Sequence, residues 1–229
     1  MNKIRLLKKL ETYPLFTIND ISKITQKSPE YVRLLLYRLL NGQHIQRIEK
    51  GKYTTHEDPL VYASHIITPS YLSLWTSLRY YNLTTQFPLE TTIMTAKNKK
   101  QITVGEETIT FTKTKHMWGY EKINYNGFEV FMADKEKTAI DGLQSMKLPT
   151  DEINNVISEC NQKKLVDYAI KTRNKSVIKK TGYLMEHNNI QASPLLEYID
   201  GNYVPLDGNR PKKGERNKRW KIIVNTALE

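Results

Sequence analysis

A chain of 229 residues is long enough for one large domain or two small ones, and its 39% hydrophobic residues promise a real core and argue against wholesale disorder. Its 35 Lys and Arg against 24 Asp and Glu leave a net charge of +11, which favours a polyanionic partner, nucleic acid first and an anionic membrane surface second. The single cysteine, Cys160, rules out an intrachain disulfide and nearly excludes thiolate metal sites; no apolar run approaches the roughly 20 residues of a membrane span, and the opening MNKIRLLKKLETY lacks the apolar core of a signal peptide, so a cytoplasmic protein without a membrane partner is expected.

In chain order, Ile4, Leu6, Leu7 and Leu10 put an apolar stripe on a first helix whose other face holds Lys3, Arg5, Lys8 and Lys9. Thr17 is placed to cap a second helix, with Asp20 at the capping-box position and Ile18, Ile21 and Ile24 as its inner face. The joint Thr25-Gln26-Lys27 leads into KSPEYVRLLLYRLLNG. Ser28 is a good N-cap there, Pro29 suits the first helical position, and Asn41-Gly42 favours a left-handed end. Val32, Leu35, Leu36 and Leu39 make its apolar face. Glu30, Arg33, Tyr37 and Arg38 make the polar one, with Tyr31 and Leu34 at the border. Two short helices joined by a tight turn, the second basic and aromatic outside, predict a helix-turn-helix. HIQRIEKGKYTT then predicts a small hairpin with Gly51 near its tip, the wing of a winged helix.

Residues 1–55 carry eleven Lys and Arg against four Asp and Glu, a net of +7, more than half the excess of the whole chain. Phosphate contacts supply sequence-independent affinity, while base edges must be read from the third helix. Lys27, Ser28, Lys50 and Lys52 are therefore the candidates for backbone contacts, and Tyr31, Arg33, Tyr37 and Arg38 for the groove, Arg being the natural bidentate partner of guanine.

A boundary is expected at His56-Glu57-Asp58-Pro59, dividing a DNA-binding domain, 1–55, from a second domain, 56–229. Pro59 opens a short helix to about Ile67, and TPSYLSLWTSLRYYNL reads as a helix capped near Ser70, with Leu72, Trp75, Leu78 and Leu83 inside and Ser73, Ser77 and Arg79 largely outside. Extended runs follow over 90–96, 101–113 and 125–132, then helices capped or opened near Asp134, Thr150, Lys163 and Lys175. The end is extended again in LEYIDGNYVPL and RWKIIVN, around a polar loop with Arg210, Lys212, Lys213, Arg216 and Lys218, which offers secondary phosphate or acidic-partner contacts. The fold class expected is α+β.

Catalytic patterns are scarce. The five histidines are scattered, so no metal site is expected, and the glycines never form a dinucleotide or phosphate-binding loop. Asp134-Lys135-Glu136-Lys137 shares letters with a nuclease site, yet reads physically as an aspartate cap with Glu136 favouring the helix dipole. Asp141, among Ala139, Ile140 and Leu143, is expected to be half-buried and hydrogen-bonded.

A winged helix followed by PSYLSLWTSLRYYNLTTQFP, EKTAIDGL, KKTGYLME and GERNKRWKIIVN resembles the AbiEi family, antitoxins of type IV toxin–antitoxin (abortive infection) systems, over nearly the whole chain. The resemblance implies a cofactor-free, non-enzymatic repressor of its own operon, bound to inverted repeats of double-stranded operator DNA as a monomer in solution or a pair on DNA. It also implies a second domain that counteracts a cognate nucleotidyltransferase-like toxin, directly or functionally. The family's recognition helix falls on residues 28–40. Two other readings stand beside it: a winged-helix repressor that senses a metabolite, and a winged-helix-targeted nuclease using Asp134 and Glu136.

Overall fold

Three capped helices open the chain. In α1 (Lys3–Leu10) the Asn2 side chain accepts the Arg5 amide at 2.9 Å. Strand β1 (Phe16–Thr17) leads into α2 (Ile18–Thr25), where Thr17 and Asp20 form the expected reciprocal capping box. Gln26, in the left-handed region, ends α2. Helix α3 (Pro29–Asn41) follows with Ser28 as its cap. The left-handed residue after α3 is Gln43 (φ 54) and not Gly42 (φ −83); Gly42 instead makes room for the His44 ring, which a Cβ would meet at 2.9 Å.

The computed structural model describes residues 2–86, 88 and 90–228; Phe87, in the block PSYLSLWTSLRYYNLTTQFP, lies outside them. The architecture is mixed α+β, in two units that each gather three stretches of chain. The first takes Met1–Leu72, Leu89–Lys115 and Lys122–Phe131, the second Ser73–Pro88, His116–Glu121 and Met132–Glu229.

In the first unit the hairpin β2 (Gln46–Glu49) and β3 (Lys52–Thr54) turns at Lys50-Gly51, Gly51 supplying φ +84. Strand β1 pairs antiparallel with β3, giving the order β1-β3-β2. Leu6, Leu10, Phe16, Ile21, Val32, Leu36, Leu39, Ile45 and Tyr53 close one core beneath these elements. Asp58 caps the short α4 (Pro59–Tyr62), which a 3₁₀ turn extends to His65. The remaining strands are β4 (Ser70–Leu72), β5 (Glu90–Thr95), β6 (Ile102–Val104), β7 (Glu107–Lys113), β8 (Tyr120–Tyr125) and β9 (Phe128–Ala133), the last two crossing the division between units. They form a mixed sheet ordered β6-β7-β5-β4-β9-β8, with β5 and β7 parallel.

Two expectations change here. Residues 70–72 are a strand and not a helix start, and the helix begins only at Trp75. Ser70, Tyr71 and Leu72 lie buried in the middle of the sheet, paired with β5. The first unit also extends well beyond residue 55. Glu49 of the hairpin pairs with Lys99, and Lys52 donates to the Ile66 carbonyl, so hairpin and mixed sheet are bonded into one body.

The second unit surrounds α6 (Lys135–Ser145), whose residues from Glu136 to Leu143 are all buried, with α5 (Trp75–Tyr80), α7 (Thr150–Ser158), α8 (Gln162–Lys171) and α9 (Lys175–His187). A small sheet closes the chain, with β10 (Val204–Pro205) parallel and β11 (Glu215–Asn217) antiparallel to β12 (Ile222–Val224). Ser73 and Ser77, expected outside, are buried: Ser73 donates to Asp141 at 2.8 Å, and Thr138 donates to Ser77 at 2.8 Å. Among the described residues no helix is long and apolar enough to cross a membrane.

Candidate nucleic-acid interface

The caps decide which face α3 presents. With Ser28 fixed as N-cap (Tyr31 N to Ser28 Oγ, 3.4 Å), the 3.6-residue period turns Val32, Leu36 and Leu39 into the core. Tyr31, Arg33, Leu34, Tyr37 and Arg38 are left outside. Tyr31 and Leu34 are each 49% exposed and Tyr37 62%, half of the six large hydrophobic side chains exposed among the described residues. One helix face thus leaves apolar area in water with two guanidinium groups beside it.

Charge on this face is arranged around the start of the helix. Lys27 Nζ lies 5.9 Å from the centre of the Tyr31 ring, and Arg33 pairs loosely with Glu30 at 3.6 Å, both side chains exposed. The Glu30 carboxyl is held below its usual value first by its backbone amide, then by the Ser28 hydroxyl and Arg33. It therefore keeps one negative charge at the edge of the face. Arg38 stands exposed next to Tyr37 and one turn beyond Leu34, and Lys50 is exposed at the hairpin tip.

Six of the eight expected contact residues (Lys27, Ser28, Tyr31, Arg33, Tyr37, Arg38) thus share α3 and its cap, and Lys50 stands on the hairpin turn of the same unit. Lys52 differs. It is half-buried, pairs with Glu49 at 2.9 Å and donates to the Ile66 carbonyl, so its ammonium serves the unit's own packing. Burial alone would raise the Glu49 carboxyl, but hydrogen bonds from Lys99 and Lys52 outweigh it and hold it low, which keeps both ion pairs charged. Arg47, missed in the sequence, is exposed on β2, while its neighbour Ile48 is buried. Within β2, which starts only at Gln46, adjacent side chains take opposite faces, so the apolar Ile48 beside it was the signal that places Arg47 outside.

No protein-family model and no curated protein matches the chain. A solved structure does: the crystal structure of the RV2827C protein from Mycobacterium tuberculosis superposes with a TM-score of 0.67, covering 96% of this chain and 89% of that one. At 10% sequence identity the likeness is one of fold alone.

Elsewhere in the first unit an open cleft of about 610 Å³ lies beside the end of α3, lined by Gln43 and His44 and by three carboxylates, Glu57, Glu106 and Glu107. Among the described residues no Lys or Arg lines it.

In the second unit the acids of the nuclease reading are engaged structurally. Asp134 Oδ1 caps α6 through the Lys137 amide at 2.6 Å, and its Oδ2 accepts from Tyr168 at 3.0 Å. Glu136 accepts the Asn161 amide at 2.7 Å, and Lys164 bridges both acids at 3.1 and 3.2 Å. Burial raises the Asp134 carboxyl. It would lower the Lys164 ammonium too, but the two carboxylates outweigh it and push that group up. Among the described residues no group of three His, Cys, Asp or Glu stands close enough to hold a metal ion.

Proposed function

We propose that this chain is a winged helix-turn-helix DNA-binding protein that represses its own operon and acts as the antitoxin of a nucleotidyltransferase-like toxin. The observation that carries the DNA part is the outer face of α3: Arg33 and Arg38 among exposed Tyr31, Leu34 and Tyr37, on a helix of 13 residues seated on its own core. Such a helix fits a major groove about 12 Å wide, where each arginine can pair with guanine O6 and N7. Lys27, the Ser28 turn and the hairpin tip at Lys50 supply contacts to the flanking phosphates. The antitoxin part rests on the four sequence blocks that resemble the AbiEi family and on no feature of the site. Asp134 and Glu136 hold the α6–α8 junction in this reading and carry no chemistry.

Selection of bound duplexes from a random pool, followed by gel shifts, tests it. A consensus with inverted symmetry is expected. Arg33→Ala and Arg38→Ala should each cost about 1–3 kcal/mol on the consensus and relax its sequence. Lys50→Ala should weaken all duplexes alike, flattening the salt dependence by about one unit. A pool that yields no enriched sequence overturns the reading. Rescue of cells that express the neighbouring toxin gene tests the antitoxin half separately.

The acidic cleft beside the end of α3 favours one second reading, a repressor that answers a small cationic metabolite. Release of the selected duplex by a diamine such as putrescine, lost in Glu107→Gln, would select it.

A further inference from the structure

The basic loop near the C-terminus runs into the β11–β12 hairpin and is tied down against it. Asn225 reaches back from the end of β12 and its side-chain amide donates to the carbonyls of Asp207 at 2.8 Å and Pro211 at 3.1 Å. The Asn225 Oδ1 accepts the Asp207 amide at 2.9 Å. Gly214 lies so close to β12 that any Cβ there would collide with the Val224 carbonyl, and β11 pairs with β12 from Glu215 to Asn217. On this fixed backbone stand Arg210, Lys212, Lys213, Arg216, Lys218 and Arg219, all exposed, against a single acid, Glu215. Only two have carboxylate partners among the described residues, Arg210 with Asp207 at 3.3 Å and Arg219 with Glu186 at 2.8 Å. A run of like charges on a loose loop would spread apart in water; here their repulsion is held in place.

We infer that residues 210–218, the basic loop and the first strand of this hairpin, are a second nucleic-acid contact, one that grips the phosphate backbone of duplex DNA without reading its sequence. Three features choose this occupant. A protein partner is gripped through exposed aromatic or aliphatic anchors, and no exposed large hydrophobic lies in this stretch. A single strand is bound by stacking bases on free aromatic faces. Trp220 in the hairpin turn is buried, and the Tyr203 ring beside it is already flanked by Arg216 at 5.2 Å and Lys221 at 5.7 Å. A duplex backbone asks only for cations at a fixed spacing, which the hairpin supplies. The inference needs the second unit alone and does not depend on α3 reading bases.

The experiment measures affinity of the full chain for the selected consensus duplex, a random 30-base-pair duplex and poly(U) across a salt series, for the parent, for Lys212→Ala/Lys213→Ala/Arg216→Ala/Lys218→Ala, and for Arg33→Ala/Arg38→Ala. Loss of the four hairpin cations should flatten the slope of log K against log salt on the duplex by about 3–4 units and leave sequence preference unchanged. The Arg33/Arg38 pair should do the reverse. If the parent shows no sequence preference, the α3 reading fails while the hairpin's slope change stands. If the fourfold variant melts early, Lys212→Ala/Lys213→Ala alone should give about half the change. An unaltered slope on the duplex overturns the inference, and so does a loss confined to poly(U).

Discussion

Gly182 and Trp220 show how a missing side chain sets a packing distance. The indole is fully buried against α9, donates its Nε1 proton to Glu186 at 2.6 Å, and lies where a Cβ on Gly182 would overlap its six-membered ring. Helix propensity alone would make Gly182→Ala stabilising by up to about 1 kcal/mol. Overpacking predicts the opposite, a loss of about 1–3 kcal/mol read as a lower urea midpoint with an unchanged m value, so the sign decides which effect wins. A second residue-scale test concerns Lys137 and Asp141, paired on α6 with no exposure at all. Lys137→Met leaves Asp141 buried without its cation and should cost about 3–5 kcal/mol. Lys137→Met/Asp141→Leu removes both charges and should recover most of that loss in the same denaturation assay.

At the scale of elements, α9 carries a pH dependence. Lys179, almost fully buried on it, donates to Asp200 and to the Asn202 carbonyl. The Asp200 carboxyl is held down at about 2, first by Lys179, with the Asn202 amide and Lys175 adding to it. A carboxyl depressed on folding contributes stability above the ordinary carboxylate range, near pH 4, and loses it as pH falls toward 2. Asp200→Asn should therefore lower the melting temperature at neutral pH and flatten its fall between pH 4 and 2, measured by circular dichroism at fixed salt. The elements also show what the letters could reveal. Caps are local chemistry, so Thr17 with Asp20, Ser28 with Pro29, and Asp134 were legible, and α2, α3 and α6 start where they predict. Strand β4 was not, because Leu72, Trp75 and Leu78 repeat at helical spacing, and a strand buried on both faces has no alternation to betray it. Ser73 and Ser77 look like surface letters until Asp141 and Thr138 arrive from more than 60 positions away. In the candidate interface the face of α3 was legible for the same reason as its caps. Lys52 was not, since its acceptor at Ile66 is made available only by the fold.

The whole molecule is laced together. The chain passes between its two units five times, after residues 72, 88, 115, 121 and 131, so no single cut yields both of them intact. A fragment 73–229 lacks β4 and so loses the middle of the six-stranded sheet, leaving β6-β7-β5 and β9-β8 as two pieces with open edges. It should elute as aggregate and bind a hydrophobic dye. Residues 1–55 behave differently: every member of their core lies between Leu6 and Tyr53, and this fragment should keep a cooperative melt, at a lower temperature than the full chain because Lys99 and Ile66 are gone. The lacing also imposes a timetable on synthesis. The N-terminal core can close once Tyr53 has left the ribosome, but β4 waits for its second neighbour until Ala133 is made, roughly 4–16 s later at about 5–20 residues per second. During that wait one side of β4 lies open to any other nascent chain nearby, and crowded translation will find its first misassembly there.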